Sequence, residues 1–144
     1  QDTLVSGTSI KTVNSQSIPG AGNMTLSDSI GIVCSDEATA LVTGANVITF
    51  HMPYALTLTE VFCGLSTPQT SGTAVGVDVL AGGASVFSTT ITVDNTEDTS
   101  LTAAVPAVLS TTALTKGQKI QVSILSVGGT TAKGLKVYLV GYIP

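Results

Sequence analysis

Lys119-Ile120-Gln121-Val122-Ser123-Ile124-Leu125-Ser126-Val127 is the stretch whose reading decides the fold. Ile120, Val122 and Ile124 recur at every second position, which puts all three on one face of an extended chain and no single face of a helix. Gly128-Gly129 follows as a turn, and Leu135, Val137 and Leu139 then repeat the same period. Working backwards, Ala74 to Leu80 sets Val75, Val77 and Val79 on one face, with Gly76 and Asp78 opposite. Gly82-Gly83 reads as a tight turn, so Ala84 to Val93 is expected to return as the hairpin partner. Val47 to Met52 alternates and stops at Pro53. Ala55 to Leu65 is a longer strand with a break in its pattern: Leu56 and Leu58 share one parity, Val61, Cys63 and Leu65 the other. Side chains alternate strictly along a strand, so this switch requires a bulge or a change of sheet near Glu60. Sustained helical spacing is missing, and the one candidate for a brief helical turn is Ser35-Asp36-Glu37-Ala38. Strands at this spacing with glycine turns predict an all-β fold, an antiparallel β-sandwich of jelly-roll-like form.

Composition bounds what such a fold can do. The chain has 144 residues, about one domain, of which 43% are hydrophobic and only 10% charged. An ordinary domain carries about 25% charged residues, and here serine, threonine and glycine fill the difference. Hydroxyl-bearing outer strand faces are the natural reading, because β-branched threonine suits a half-exposed pleated surface. Arginine is absent, the net charge is −4, and Lys11, Lys116, Lys119, Lys133 and Lys136 are scattered. Nucleic-acid binding needs clustered positive charge, so no nucleic-acid partner is expected. No apolar run approaches the ~18 residues of a membrane span, and no basic-then-apolar leader opens the sequence, so no membrane insertion is expected. The chain opens with Gln1, which reads as processing, trimming or a fragment. A surface this poor in charge does little to repel its own copies and suits a subunit of an assembly.

Catalytic chemistry finds few materials. His51 is the single histidine, so any nucleophile–base pair would need it beside a serine, Cys34 or Cys63; a packed or rim histidine is the plainer reading. The elbow pattern of serine hydrolases and the four ligands of structural zinc are both missing. Asp94, Glu97 and Asp98 cluster in one turn, read as a solvated polar turn, with a loop Ca²⁺ site as the sharper alternative. Tyr54 and Tyr138 are candidates for a sugar-contacting face or for a strand end or subunit interface. Cys34 and Cys63 are read as buried free thiols or as one disulfide. No enzyme activity, catalytic residue, metal or cofactor is expected. Turn chemistry makes Ser66–Thr73 and Asp94–Ser100 the candidate binding loops.

Residues 1–28 differ from the rest. Their apolar residues, Leu4, Val5, Ile10, Val13, Ile18, Met24 and Leu26, are broken by Gly7, Pro19, Gly20 and Gly22. Such short extended pieces cannot bury a core alone, which makes those seven residues the candidate oligomerisation contacts. The boundary is drawn there: an extended attachment and oligomerisation segment over 1–28, and a β-sandwich head over 29–144.

Leu4-Val5-Ser6-Gly7-Thr8-Ser9-Ile10-Lys11-Thr12-Val13-Asn14, followed by Ser17-Ile18-Pro19-Gly20-Ala21-Gly22-Asn23-Met24-Thr25-Leu26, resembles a motif of phage tail-fibre and related virion proteins. In that family it reads close to L-V-S-G-x-N-I-K-T-I-N-G-x-S-L-L-G-S-G-N-I-x-L, from which this chain departs at Ser9, Ser15 and Pro19. Phe50-His51-Met52-Pro53-Tyr54-Ala55-Leu56-Thr57-Leu58-Thr59 and Gly134-Leu135-Lys136-Val137-Tyr138-Leu139 are similar to a domain found at fibre C-termini. The resemblance implies a homotrimer on the virion, N-terminal segments wound together and sandwiches forming a head. Its implied partners are other virion structural proteins and a host-surface receptor. Low charge and strands too short to fold alone favour the same self-association, for which closed cyclic symmetry is the usual solution. Two alternatives stand beside the fibre subunit: a capsid decoration protein that stabilises the shell, and a secreted carbohydrate-binding or adhesin module.

Overall fold

A computed structural model describes residues 25–144, together with the two short strands β1 (Thr12–Val13) and β2 (Gln16–Ser17), which pair antiparallel. The head is built from β3 (Leu26–Val33), β4 (Gly44–His51), β5 (Leu56–Gly64), β6 (Val75–Ala81), β7 (Ala84–Ser85), β8 (Phe87–Thr89) and β9 (Ile91–Val93). It continues through a 3-10 turn at Ser100–Thr102 into β10 (Val108–Leu109), β11 (Ala113–Leu114), β12 (Lys119–Ser126) and β13 (Lys136–Ile143).

Two antiparallel sheets face each other. One runs β11-β5-β13-β3, the other β4-β12-β6-β7, with β9 also on β6. The chain changes sheet between β3 and β4, β4 and β5, β5 and β6, and again at β11, β12 and β13. The last strand therefore lies between β3 and β5, and β12 between β4 and β6. With the interrupted β7–β9 taken as one strand, this is the interleaved order of a jelly roll. Apart from the β6–β7 hairpin and the nearby β9, the pairings within the two sheets join strands distant in sequence.

The core forms where the alternating faces meet. Val75, Val77, Val79, Ile120 and Val122 from one sheet and Leu56, Cys63, Val137 and Leu139 from the other are all completely buried. Each fully buried aliphatic side chain of this size stabilises the fold by roughly 1.5–3 kcal/mol. The broken pattern in β5 resolves as a bulge. Val140 pairs with Glu60 but Gly141 with Leu58, so Thr59 is the extra residue and Leu56, Leu58, Val61, Cys63 and Leu65 all face the core. Gly141 sits opposite the bulge because the folded-over backbone leaves no room: a Cβ there would overlap the Thr57 carbonyl.

Two expectations are corrected. Ala84 to Val93 is not one hairpin strand: β7 pairs with β6, then Phe87–Thr89 swings out to pair with β10, and β9 rejoins β6 with Val93 opposite Val75. Val86 is completely buried at the departure point and its N–H still bonds Val79, so its anchored side chain sets where the detour begins. Ser35–Ala38 is not a helical turn. The Asp36 carboxylate accepts the N–H groups of Ala38 and Thr39, as an N-cap would, but no helix continues from it. The fourth residue back is the reason: Ser35 turns its hydroxyl to the Leu135 N–H and ties the chain to β13 instead.

Candidate functional site

Three loops at one end of the sandwich are held by a single side chain. Gln69 is completely buried. Its amide oxygen accepts the N–H groups of Gly128 (3.0 Å) and Gly129 (3.1 Å). Its amide nitrogen donates to the Thr73 carbonyl and to Asn95 Oδ1 (2.9 Å), and Asn95 Nδ2 passes on to the Gly72 carbonyl at 2.7 Å. All of its polar capacity is used, the condition under which a buried amide stabilises rather than costs. Gly128 has no side chain for a related reason: a Cβ would run into the Thr73 backbone. The candidate binding loops 66–73 and 94–100 are thus brought together, but as a rigid clamp.

A concavity lies elsewhere, along one side of the sandwich. It is a groove of about 620 Å³ whose floor is Phe87 and the backbone of Val61. Thr59, Glu60 and Phe62 of β5 form one wall, and Pro106, Val108 and Leu109 the other. Leu101 closes one end and is 58% exposed; Val108 is 49% exposed and Val105, beside Pro106, 60%. Phe62 is braced from behind by Tyr138, their rings stacked with centroids 4.8 Å apart. The groove exists because strand pairing along the outer edge of β5 is interrupted. β11 covers only Leu56 and Thr57, and Thr112 bonds the Leu58 N–H. Pairing resumes where the Ser100 hydroxyl accepts the Cys63 N–H and Asp98 accepts the Leu65 N–H. Between these points, among the described residues, Thr59 to Phe62 has no neighbouring strand on that side.

Of the residues singled out from the sequence, Leu26 is the first of β3, opposite Ile143, and 52% exposed. Val13 belongs to β1, opposite Gln16. Leu4, Val5, Ile10, Ile18 and Met24 lie outside the described residues. His51 is exposed at the end of β4, opposite Lys119 and away from both cysteines' buried positions. The carboxylates of the 94–98 turn do not converge: Asp94 accepts the Ala104 N–H and Glu97 the Thr102 hydroxyl, so both brace the loop leading to the groove. Among the described residues no three His, Cys, Asp or Glu groups are placed to share a metal ion. Tyr54 and Tyr138 are not neighbours in one face; Tyr138 stacks on Phe62 while Tyr54 donates its hydroxyl to Asp28.

Cys34 and Cys63 are free and buried. They flank β13 on opposite sides, Cys34 bonded to the Leu135 carbonyl and Cys63 opposite Val137. One strand between them means about 9–10 Å between backbones, beyond the ~7 Å that a disulfide spans. Burial pushes the Cys34 thiol up to about 11 and the Cys63 thiol to about 12, so neither is a ready nucleophile. The surface carboxylates shift the other way. The Tyr54 hydroxyl and then the Ser29 N–H hold Asp28 below its usual range, the Thr39 and Ala38 N–H groups do so for Asp36, and the Lys136 ammonium for Glu37.

Sequence reasoning missed the groove. Its walls come from β5 and from residues 100–109, and the nearest bond joining them spans 37 positions. One signal was there to be read: Ala103-Ala104-Val105-Pro106-Ala107-Val108-Leu109 is an unbroken apolar run that neither alternates nor reaches strand length around its proline. Such a run has no way to bury both faces of itself. Comparison with protein-family models, curated proteins and solved structures gives no match for the chain.

Proposed function

We propose that the chain is a subunit of a homotrimeric phage virion fibre or spike, in which the jelly roll is the projecting head and the N-terminal segment attaches and aligns the three copies. The head is a passive mechanical element and offers its surface to the host. The observation that carries this reading is a set of exposed apolar side chains on the edge strands away from the groove. Val33 (63% exposed) ends β3 and Val42 (74%) leads into β4, the outermost strands of the two sheets, and Leu26 (52%) opens β3 at its other end. Large apolar side chains gathered on one side of a charge-poor domain are the mark of a surface that meets another protein. The N-terminal motif and its family resemblance point the same way, since the chain enters the head at Leu26, on the same edge strand.

The test is the solution mass of the full chain and of a variant lacking residues 1–24, which leaves β3 whole. Expected is three times 14.4 kDa for the full chain and a shift towards monomer for the variant. A monomer in both would overturn the fibre reading and leave a solitary binding module.

A further inference from the structure

We propose that the gap between β5 and β10 is a peptide-binding groove, which takes an extended, apolar and basic segment of a partner protein as an added strand. The occupant is argued from what the groove offers. Val61 lines it, yet the whole residue is only 5% exposed and its side chain belongs to the core, so what it turns to the groove is main chain. Strand alternation turns its N–H and C=O to the side on which the Cys63 and Leu65 N–H groups meet Ser100 and Asp98. An open strand edge satisfies its donors and acceptors best with another strand.

The opposite wall is itself a strand. β8 takes one edge of β10 through the pairs Val108–Thr89 and Leu109–Phe87, and β10 lines the groove on its other side. A peptide laid between β5 and β10 would close the break in strand pairing that the bulge at Thr59 and the short β11 leave open. Its side chains would alternate towards the floor at Phe87 and towards the exposed Leu101 and Val108, which asks for apolar residues at every second position. Glu60 is the single charge on the walls, is exposed, and forms no ion pair among the described residues. A lysine or arginine on the peptide's outer face meets it, in a protein that carries net negative charge. The proposal does not depend on the fibre reading, because the groove lies on the other side of the head.

The test uses the full chain and a panel of blocked, fluorescein-labelled nonapeptides that alternate valine and threonine around one central lysine. Saturable binding is expected, with amide-shift changes confined to Thr59–Phe62 and 101–109. Methylating alternate backbone nitrogens of the peptide, or replacing its lysine by glutamate, should weaken binding at least about tenfold. Glu60→Lys should reverse the lysine-over-glutamate preference, and Val108→Asp, at a position 49% exposed, should weaken binding by a similar factor. The proposal is overturned if no panel member binds below about 1 mM, if N-methylation leaves affinity unchanged, or if the shifts fall on the β3 edge. Shifts in the groove caused by a neutral oligosaccharide and by none of the peptides would overturn it as well.

Discussion

Replacing Gln69 by leucine should destabilise the head by about 3 kcal/mol. Leucine is a somewhat shorter apolar side chain, branched at Cγ rather than Cδ, and strips four hydrogen bonds: two accepted from Gly128 and Gly129, two donated to Thr73 and Asn95. Net contributions of roughly 0.5–1.5 kcal/mol each set the range at about 2–6 kcal/mol, part of which leucine's apolar burial offsets, with most of the loss from the buried groups left without partners. For a domain of this length that is a fall of roughly 10 °C in Tm. Urea unfolding followed by circular dichroism measures it, with the midpoint falling and the slope unchanged if only the native state is affected. Gln69→Glu sharpens the test. It keeps the oxygen facing the two glycine N–H groups but turns a carboxylate oxygen towards the Thr73 carbonyl and Asn95 Oδ1. At pH 7 this variant should be less stable than the leucine variant, because a charge is buried against acceptors. Burial raises that carboxyl's pKa, so acidification protonates it in the fold and restores a donor, and the gap to wild type should narrow as pH falls. A loss under about 1 kcal/mol for Gln69→Leu, or a glutamate variant as stable as wild type at pH 7, would refute the clamp.

Gly141→Ala should cost about 2–3 kcal/mol, since its Cβ meets the bulged β5 backbone and neither strand can withdraw without breaking the ladder; thermal unfolding checks it. The thiols give a pH signature. Their folded pKa values lie above the ordinary thiol value of 9.0, so their contribution is intact below about pH 9 and is lost as pH rises towards 11–12. Stability should therefore fall between pH 9 and 11 in wild type and fall less in Cys63→Ala, measured by urea midpoint; a thiol reagent should find no reactive group in the folded chain at pH 8 and two after unfolding. At the acid end the sign reverses: Asp28, Asp36 and Glu37 are held low in the fold, so what they contribute is present above the usual carboxylate range and disappears as pH falls through their folded values. Asp36→Asn should flatten the acid limb of the same titration.

Much of the fold could be read along the chain because its signal is local. Period-two alternation names the inward residues of β6, β12 and β13 without any knowledge of their neighbours, and the parity break between Leu58 and Val61 announces a bulge by counting alone. The reading failed where a residue's fate depended on a distant anchor. Ser88 and Thr89 leave β6 because β10 offers a second partner, and Asp36 caps no helix because Ser35 is tied to Leu135. The groove was the larger miss, for it is a space where pairing stops, and a missing neighbour leaves no mark on the strand that lacks it.

By itself, then, the sequence determined the long strands β4, β5, β6, β12 and β13, their inward faces, the poverty of charge and the scarcity of catalytic groups, all of which are properties of residues within a few positions of each other. Only the tertiary structure decided the jelly-roll order, the clamp at Gln69, the separation of Cys34 from Cys63 by β13, and the open edge at Val61. The physical reason is that alternation specifies which face of a strand is buried and is silent on which strand lies alongside; that choice is made by the packing of both sheets at once.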